Sequence, residues 1–315
     1  MADRLSVIIP ARDEAANIER AIRAVLADDT HGAVVEIIVV DAGSVDDTVA
    51  RSEAAGARVV SLPRDMADRN PALSRNRGAA VAVGDRLIFL DADCEPQPGW
   101  LAAIDSAHEA GARIVGGSFE LPPGLTPSAR CDYYAGWYHA HAGCARGPKP
   151  STPPGNLSVD RDVFRSTSGF DETPFVAYSH EELRMQAELA RAGFPTFFEP
   201  SAVVTHRNRP GLVNLLKRNY RWGYSALESK TTSGAARFRW VYRSPAVPVL
   251  LAFPLALPTA LYICTVWARN RRWEAVAWFP LIFAARVAWS TGMFVGGARW
   301  LVQRRRRRRT RAMDR

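Results

Sequence analysis

The stretch Arg86-Leu-Ile-Phe-Leu-Asp-Ala-Asp-Cys94 decides the reading of this chain. Arg86–Leu90 has the look of a short apolar strand buried in a parallel sheet. It runs into Asp91 and Asp93, spaced so that both aim at one point beyond its carboxyl edge. That edge is where open α/β sheets hold their ligands. Two hard oxygen donors there suit Mg²⁺ or Mn²⁺ held together with phosphates. By itself an Asp-x-Asp after a strand is equally a solvated turn, so its neighbours carry the decision.

Upstream, Leu5–Ile9 predicts a first strand closed by Pro10, and Ala15–Ala27 a helix with Ile18, Ile22, Val25 and Leu26 at helical spacing. Glu36–Val40 predicts a second strand running into Asp41. Gly43-Ser44 then turns the chain, and Asp46-Asp47 suit the positive end of the next helix. Arg58–Leu62 is a third strand and Pro71–Val83 a third helix, carrying Arg75 and Gly78. The alternation implies an α/β fold with a mostly parallel sheet and right-handed crossovers. It places Asp13, Glu14, Asp41, Asp91 and Asp93 along one edge. No Gly-x-Gly-x-x-Gly follows the first strand, which disfavours a dinucleotide fold. Asp41 suits hydrogen bonds from a base or ribose, or serves as a turn acid.

The 315 residues leave room for one sizeable α/β domain and something smaller. Of the net charge of +9, residues 304–315 supply +7 through eight Arg and one Asp. The rest of the chain is nearly neutral, so nucleic acid is not an expected partner. The four cysteines lack metal-ligand spacing. Cys131 and Cys144 either pair or, as in a cytosolic domain, remain reduced. Leu5–Pro10 leading into Arg12-Asp13-Glu14 is no signal peptide.

Three segments, Val7-Ile-Ile-Pro-Ala-Arg-Asp-Glu-Ala-Ala-Asn-Ile18, Val40-Asp-Ala-Gly-Ser-Val-Asp-Asp-Thr48 and Leu90-Asp-Ala-Asp93, resemble the opening motifs of family 2 inverting glycosyltransferases of the GT-A fold. The resemblance runs over residues 4–225. It implies a mixed, mostly parallel sheet flanked by helices. Asp41 and the turn bearing Pro10, Arg12 and Glu14 would hold the nucleotide. Asp93, with Asp91 beside it, would meet the diphosphate through Mn²⁺ or Mg²⁺, and Arg75 would face the nucleotide sugar. Gly155-Asn-Leu-Ser-Val159 is similar to the floor of the family's sugar pocket, which places Asn156 there. Glu181–Gly193 is similar to the family's Glu-Asp helix, and Glu182 stands where that motif carries its Asp base. This is a departure of one methylene, and a shifted register would put His180 there instead. An ionised Glu takes the acceptor hydroxyl's proton equally well; the alternative is an ordinary helix N-terminal acid. His206, closing a strand pair at Phe197–His206, corresponds to a metal ligand of related enzymes or is a satisfied lone histidine. Arg218-Asn-Tyr-Arg-Trp222 resembles the Gln-x-x-Arg-Trp of processive synthases, with Arg in place of Gln. Arg221 and Trp222 would line an acceptor groove, and the missing Gln puts processivity in doubt. Between these halves, residues 122–155 are aromatic-rich. They either stack on sugars, dip into a membrane or form an amphipathic helix on the sheet.

Ser244–Trp267 carries no charge over two dozen residues, enough to span about 30 Å of hydrocarbon, with kinks at Pro248, Pro254 and Pro258. Glu274–Val302 is a second candidate span. Arg286 in its middle needs a partner helix or a lipid phosphate. The alternative is a soluble core hairpin. A transmembrane hairpin divides the chain into a GT-A domain (1–235), a membrane region (236–303) and a polybasic tail (304–315). The tail fits the positive-inside rule, which puts the catalytic domain on the cytoplasmic face of the cytoplasmic membrane.

The expected function is therefore metal-dependent inverting transfer from a nucleotide-sugar donor, a UDP-sugar foremost, to a hydroxyl of a lipid, lipid-linked or glycan acceptor. The rival within the fold is a polyprenyl-phosphate glycosyltransferase. From another class, a nucleotidyltransferase needs a Gly-rich first loop that Pro10–Glu14 does not supply.

Overall fold

The computed structural model describes residues 4–28, 34–63, 71–173, 180–233 and 240–313, with side chains up to Arg304. The opening alternation folds as expected: β1 (Arg4–Ala11), α1 (Ile18–Ala27), β2 (Val34–Asp41), α2 (Thr48–Ala54), β3 (Arg58–Ser61), α3 (Pro71–Val81) and β4 (Arg86–Leu90). Then follow β5 (Cys94–Pro96), α4 (Trp100–Glu109), β6 (Ile114–Glu120), α5 (Pro127–Gly136), β7 (Gly147–Lys149), β8 (Asn156–Asp160), α6 (Arg161–Arg165), α7 (Glu182–Arg191) and β9 (Thr196–His206). The chain closes with α8 (Leu212–Ser233), α9 (Ala246–Leu251), α10 (Ala256–Arg269), α11 (Glu274–Ala277) and α12 (Phe279–Met313).

One mixed sheet has the order β3-β2-β1-β4-β8-β6-β9-β5, with β7 also on β9. The β3-β2-β1-β4 part is parallel, whereas β8 is antiparallel to both β4 and β6. Strand alternation sorts the core onto two faces. Leu5, Val7 and Ile9 meet α1 and α4 on one face, while Ile8, Ile38, Val40 and Phe89 face α3 and α7 on the other. Gly78 allows α3 to lie against the sheet: a Cβ there would sit 2.4 Å from the Ile8 side chain. Pro10 is accommodated inside β1 because the pairing of β1 with β4 ends at Ile8, leaving one edge free.

Phe197–His206, expected as two strands, is one strand with a bulge. Its register against β6 shifts between Gly117 and Ser118, which absorbs the Pro200 segment. Ser118 Oγ donates to the Pro200 carbonyl at 2.8 Å and Asn156 Nδ2 to that of Ala202 at 2.9 Å, fixing the bend.

The expected transmembrane hairpin is not shown. Ser244–Trp267 is divided into α9 and α10, of 6 and 14 residues. Pro254 lies in the turn between them, and Pro248 and Pro258 each stand in the first turn of a helix, where the missing N–H costs nothing. Among the described residues one helix, Phe279–Arg304, is long and apolar enough to cross a membrane by length and composition. The polybasic side chains beyond Arg304 lie outside the described residues. The four cysteines are free.

These C-terminal helices share the core of the sheet domain. Trp267 of α10 is fully buried, its indole N–H donates to the Tyr134 carbonyl at 2.9 Å, and its ring meets Tyr133, Tyr134 and His141. Of the readings open for residues 122–155, the packed helix holds for α5, whose Tyr133 and Tyr134 are buried. Helix α12 docks on α8 backbone to backbone. A Cβ on Gly223 would stand 1.9 Å from the Trp289 carbonyl, and one on Gly292 2.0 Å from that of Tyr220. Trp267→Ala should therefore cost about 3–5 kcal/mol, read as a lowered thermal unfolding transition of the whole chain.

Candidate active site

The order of strands reverses between β1 and β4, so the loops leaving their carboxyl ends diverge and leave a crevice. A cavity of about 1930 Å³ opens there. Pro10, Arg12 and Glu14 from the first loop reach its wall, as do Asp91 and Asp93 from the loop after β4. Arg75, Glu181, Glu182, His206, Arg221 and Trp222 line it as well.

Two expected residues are elsewhere. Asp41 is buried, its carboxylate accepting from the backbone N–H groups of Gly43 and Ser44 at 3.1 and 3.2 Å; Ala42 takes the place at the wall. This is the turn-acid geometry. Asn156 is also buried and away from the wall. Its amide accepts from Trp100 Nε1 at 2.9 Å and donates to the Ser118 and Ala202 carbonyls, tying α4, β6 and β9 together. The sugar-pocket expectation for Asn156 is thus corrected, because three hydrogen bonds tie its amide into the frame away from the cavity wall. Its neighbour Gly155 reaches the cavity instead: a Cβ there would lie 2.2 Å from an Asp91 carboxylate oxygen.

His206 is brought to Asp93 by the antiparallel register of β5 and β9, in which it pairs with Cys94. Its Nε2 lies 3.5 Å from Asp93 Oδ1. On the other side, His206 Nδ1 is 3.0 Å from Asn208 Oδ1, and Asn208 Nδ2 donates to Asp132 at 3.0 Å. An amide that donates to a carboxylate presents its oxygen to the ring, so Nδ1 carries a proton and Nε2 is the nitrogen turned toward Asp93. That is the orientation a metal ligand requires. The Cys94 thiol is near both groups, but burial and the Asp93 carboxylate push its pKa well up and keep it protonated. The donor set that remains, one carboxylate and one imidazole beside Asp91 and Glu14, fits a hard divalent ion. Burial and Asp93 likewise raise the pKa of Glu14, whose carboxylate accepts from Asn17 at 2.7 Å and from Arg209.

Arg75, expected to face the nucleotide sugar, is almost wholly buried and paired with two acids. Its guanidinium holds Glu181 at 2.6 Å and binds Asp91. Neither of these ion pairs includes the adjacent Glu182. Glu182 opens α7, where the helix dipole favours ionisation, yet burial and then the Glu181 charge prevail and push its pKa up to about 8. Its Oε2 accepts no hydrogen bond among the described residues. His180, the competing base, takes a left-handed backbone conformation (φ 67°), and its Nδ1 lies 3.3 Å from Ser225 Oγ on α8.

The acids at this edge were legible as residues ending strands. Asn208, Asp132 and Arg209 were not; the only local signal is the position of Asn208, two residues after His206.

A family model described as Glycosyl transferase family 2 matches residues 6–166, just over half of the chain. Glycosyltransferase AglE of Haloferax volcanii is 28% identical over 229 residues, covering 71% of this chain and 73% of that protein. Pre-mycofactocin glycosyltransferase of Mycobacterium tuberculosis is 27% identical over 265 residues, 76% of this chain and 52% of that protein, so the match spans about half its length. Among solved structures, mannosyltransferase PcManGT from Pyrobaculum calidifontis, in complex with GDP-Man and Mn²⁺, aligns with a TM-score of 0.59 at 18% identity. The alignment covers 93% of this chain and 87% of that one and shows a shared fold. With its mixed sheet, its acids along one edge and the match over residues 6–166, the chain belongs to glycosyl transferase family 2.

Proposed function

We propose that the chain is a membrane-associated, metal-dependent glycosyltransferase that moves a sugar, with inversion, from a nucleotide-sugar donor to a hydroxyl of a lipid or lipid-linked acceptor. One observation carries this reading: a continuous cavity joins Asp93 and His206 to Glu182 and runs on between the apolar C-terminal helices. In this reading Asp93 and His206 hold Mn²⁺ or Mg²⁺, with Asp91 beside them. When bound, the ion supplies positive charge to stabilise the departing nucleoside diphosphate. The complex of PcManGT, which shares the fold, with GDP-Man and Mn²⁺ supports the same kind of site, a UDP-sugar remaining the first donor to test. Arg12 and the Pro10–Glu14 turn border the nucleotide, Arg75 keeps Asp91 and Glu181 in place, and Arg221 and Trp222 flank the acceptor. Glu182 takes the proton of the attacking hydroxyl.

Chelation with EDTA should abolish donor hydrolysis, and Mn²⁺ should restore it. Asp93→Ala should lack activity while remaining folded, and Asn208→Ala should weaken metal affinity by about 10–100-fold, read by Mn²⁺ titration. Full activity of Asp93→Ala would remove the metal assignment.

Glu182→Gln should lower transfer by about 10²–10⁴-fold with nucleotide affinity retained. A protonated acid accepts no proton, so the wild-type rate should climb as pH rises through about 8 and fall below it. Loss of activity in His180→Ala with a silent Glu182→Gln moves the base to His180. Activity in both variants points to an acceptor that arrives ionised, the polyprenyl-phosphate alternative.

Association with a membrane is supported by apolar side chains that α9–α12 leave exposed, among them Leu250, Phe253, Leu257, Leu261 and Phe294. High salt should not release the protein from membranes, whereas Leu257→Asp with Leu261→Asp should shift it toward the soluble fraction. Release by salt alone would overturn apolar attachment.

A further inference from the structure

The cavity is electrically lopsided. Every carboxylate on its wall comes from the sheet edge, α5 or the start of α7. The lining residues from α8 onward include six basic side chains and no acid. Two of the six lie over one ring, Arg286 buried and Lys230 half-buried. Arg286 of α12 is 8% exposed, and the Lys230 ammonium stands over the same indole, Trp289, at 5.5 Å from the ring centre against 4.7 Å for the Arg286 guanidinium. Among the described residues neither takes part in an ion pair or a hydrogen bond. Beyond the face of Trp289, burial and Arg286 work against the Lys230 charge and bring its pKa down to about 8. Two neighbouring cations, one buried and one half-buried, with no counter-charge among the described residues, are unfavourable in the free protein. An anionic ligand would supply the offsetting charge, and Pro248, Leu251, Leu255 and Met293 beside them form an apolar wall.

We propose that Lys230 and Arg286 form an anion site for a phosphate group of the acceptor, an amphiphile whose chain lies along the apolar wall of α9, α10 and α12. This rests on reading the cavity as the acceptor side of a glycosyltransferase. The phosphate is the anchor, and the hydroxyl of the same molecule is presented to Glu182. Arg supplies a planar fork of donors for phosphate oxygens and Lys a point charge. The cavity supplies the low dielectric that strengthens both.

The test is isothermal titration of the full chain in detergent with dodecyl phosphate, dodecanol and inorganic phosphate. Dodecyl phosphate should bind saturably and more tightly than either of the others. Lys230→Gln with Arg286→Gln should weaken it on the order of 100-fold and leave dodecanol unchanged. Arg286→Met alone should keep or raise the melting temperature, because an unpaired buried cation is removed; a merely structural arginine would lower it. Equal affinity for dodecyl phosphate and dodecanol, or no effect of the double variant, overturns the site. Inorganic phosphate binding as tightly as dodecyl phosphate overturns the amphiphile. The donor side is measured separately by Mn²⁺–UDP titration. If that fails while dodecyl phosphate binds, the glycosyltransferase reading falls and the anion site stands; the reverse result sinks the site alone.

Discussion

A guanidinium buried between two carboxylates organises the site. Arg75 stands on α3, Asp91 follows β4, and Glu181 precedes α7, so the ion pairs fasten three elements far apart in the sequence. A buried cation with one partner removed is typically worse off by about 3–5 kcal/mol, which makes the arrangement all or none. The same pairs set the chemistry next door. Glu182 feels burial first and then the charge of the neighbouring Glu181, and its proton affinity rises. Orientation of the edge acid and tuning of the proposed base thus have one physical origin.

Much of this was readable from local patterns. Runs such as Glu36–Val40 and Arg86–Leu90, each ending in an acid, encode buried strands and point their carboxylates to one edge, and the sheet does what those runs imply. What escaped reading depends on pairing between distant segments. Nothing local says that His206 aligns with Cys94, or that Asn208 and Asp132 fix its orientation. Asn156 fits a sugar pocket by motif, yet the bulged β9 draws its amide into the frame. Arg75 reads as a phosphate or sugar contact because arginine on a helix near such an edge is free until a second acid, a hundred residues on, is known.

Hydropathy is ambiguous for a related reason. An uncharged run measures transfer from water and is blind to the difference between lipid and a protein neighbour. Ser244–Trp267 is apolar partly because Trp267, Ile263 and Ala260 fill the core beside α5, and its prolines divide it into short helices. Arg286, costly in a lone membrane helix, instead faces a cavity shared with α8.

The glycine contacts between α8 and α12 have a mechanical consequence. Helices held apart by side chains can slide by exchanging rotamers, but helices in backbone contact have no such slack. Here the contact includes Gly223, Gly292 and Gly296, so Arg221 and Trp222 at the cavity wall belong to the same stiff body as the apolar helix. On the membrane-bound reading, the depth at which that helix sits in the bilayer and the height at which the sugar is transferred form a single coordinate. The bilayer then acts as a gauge block for the reaction.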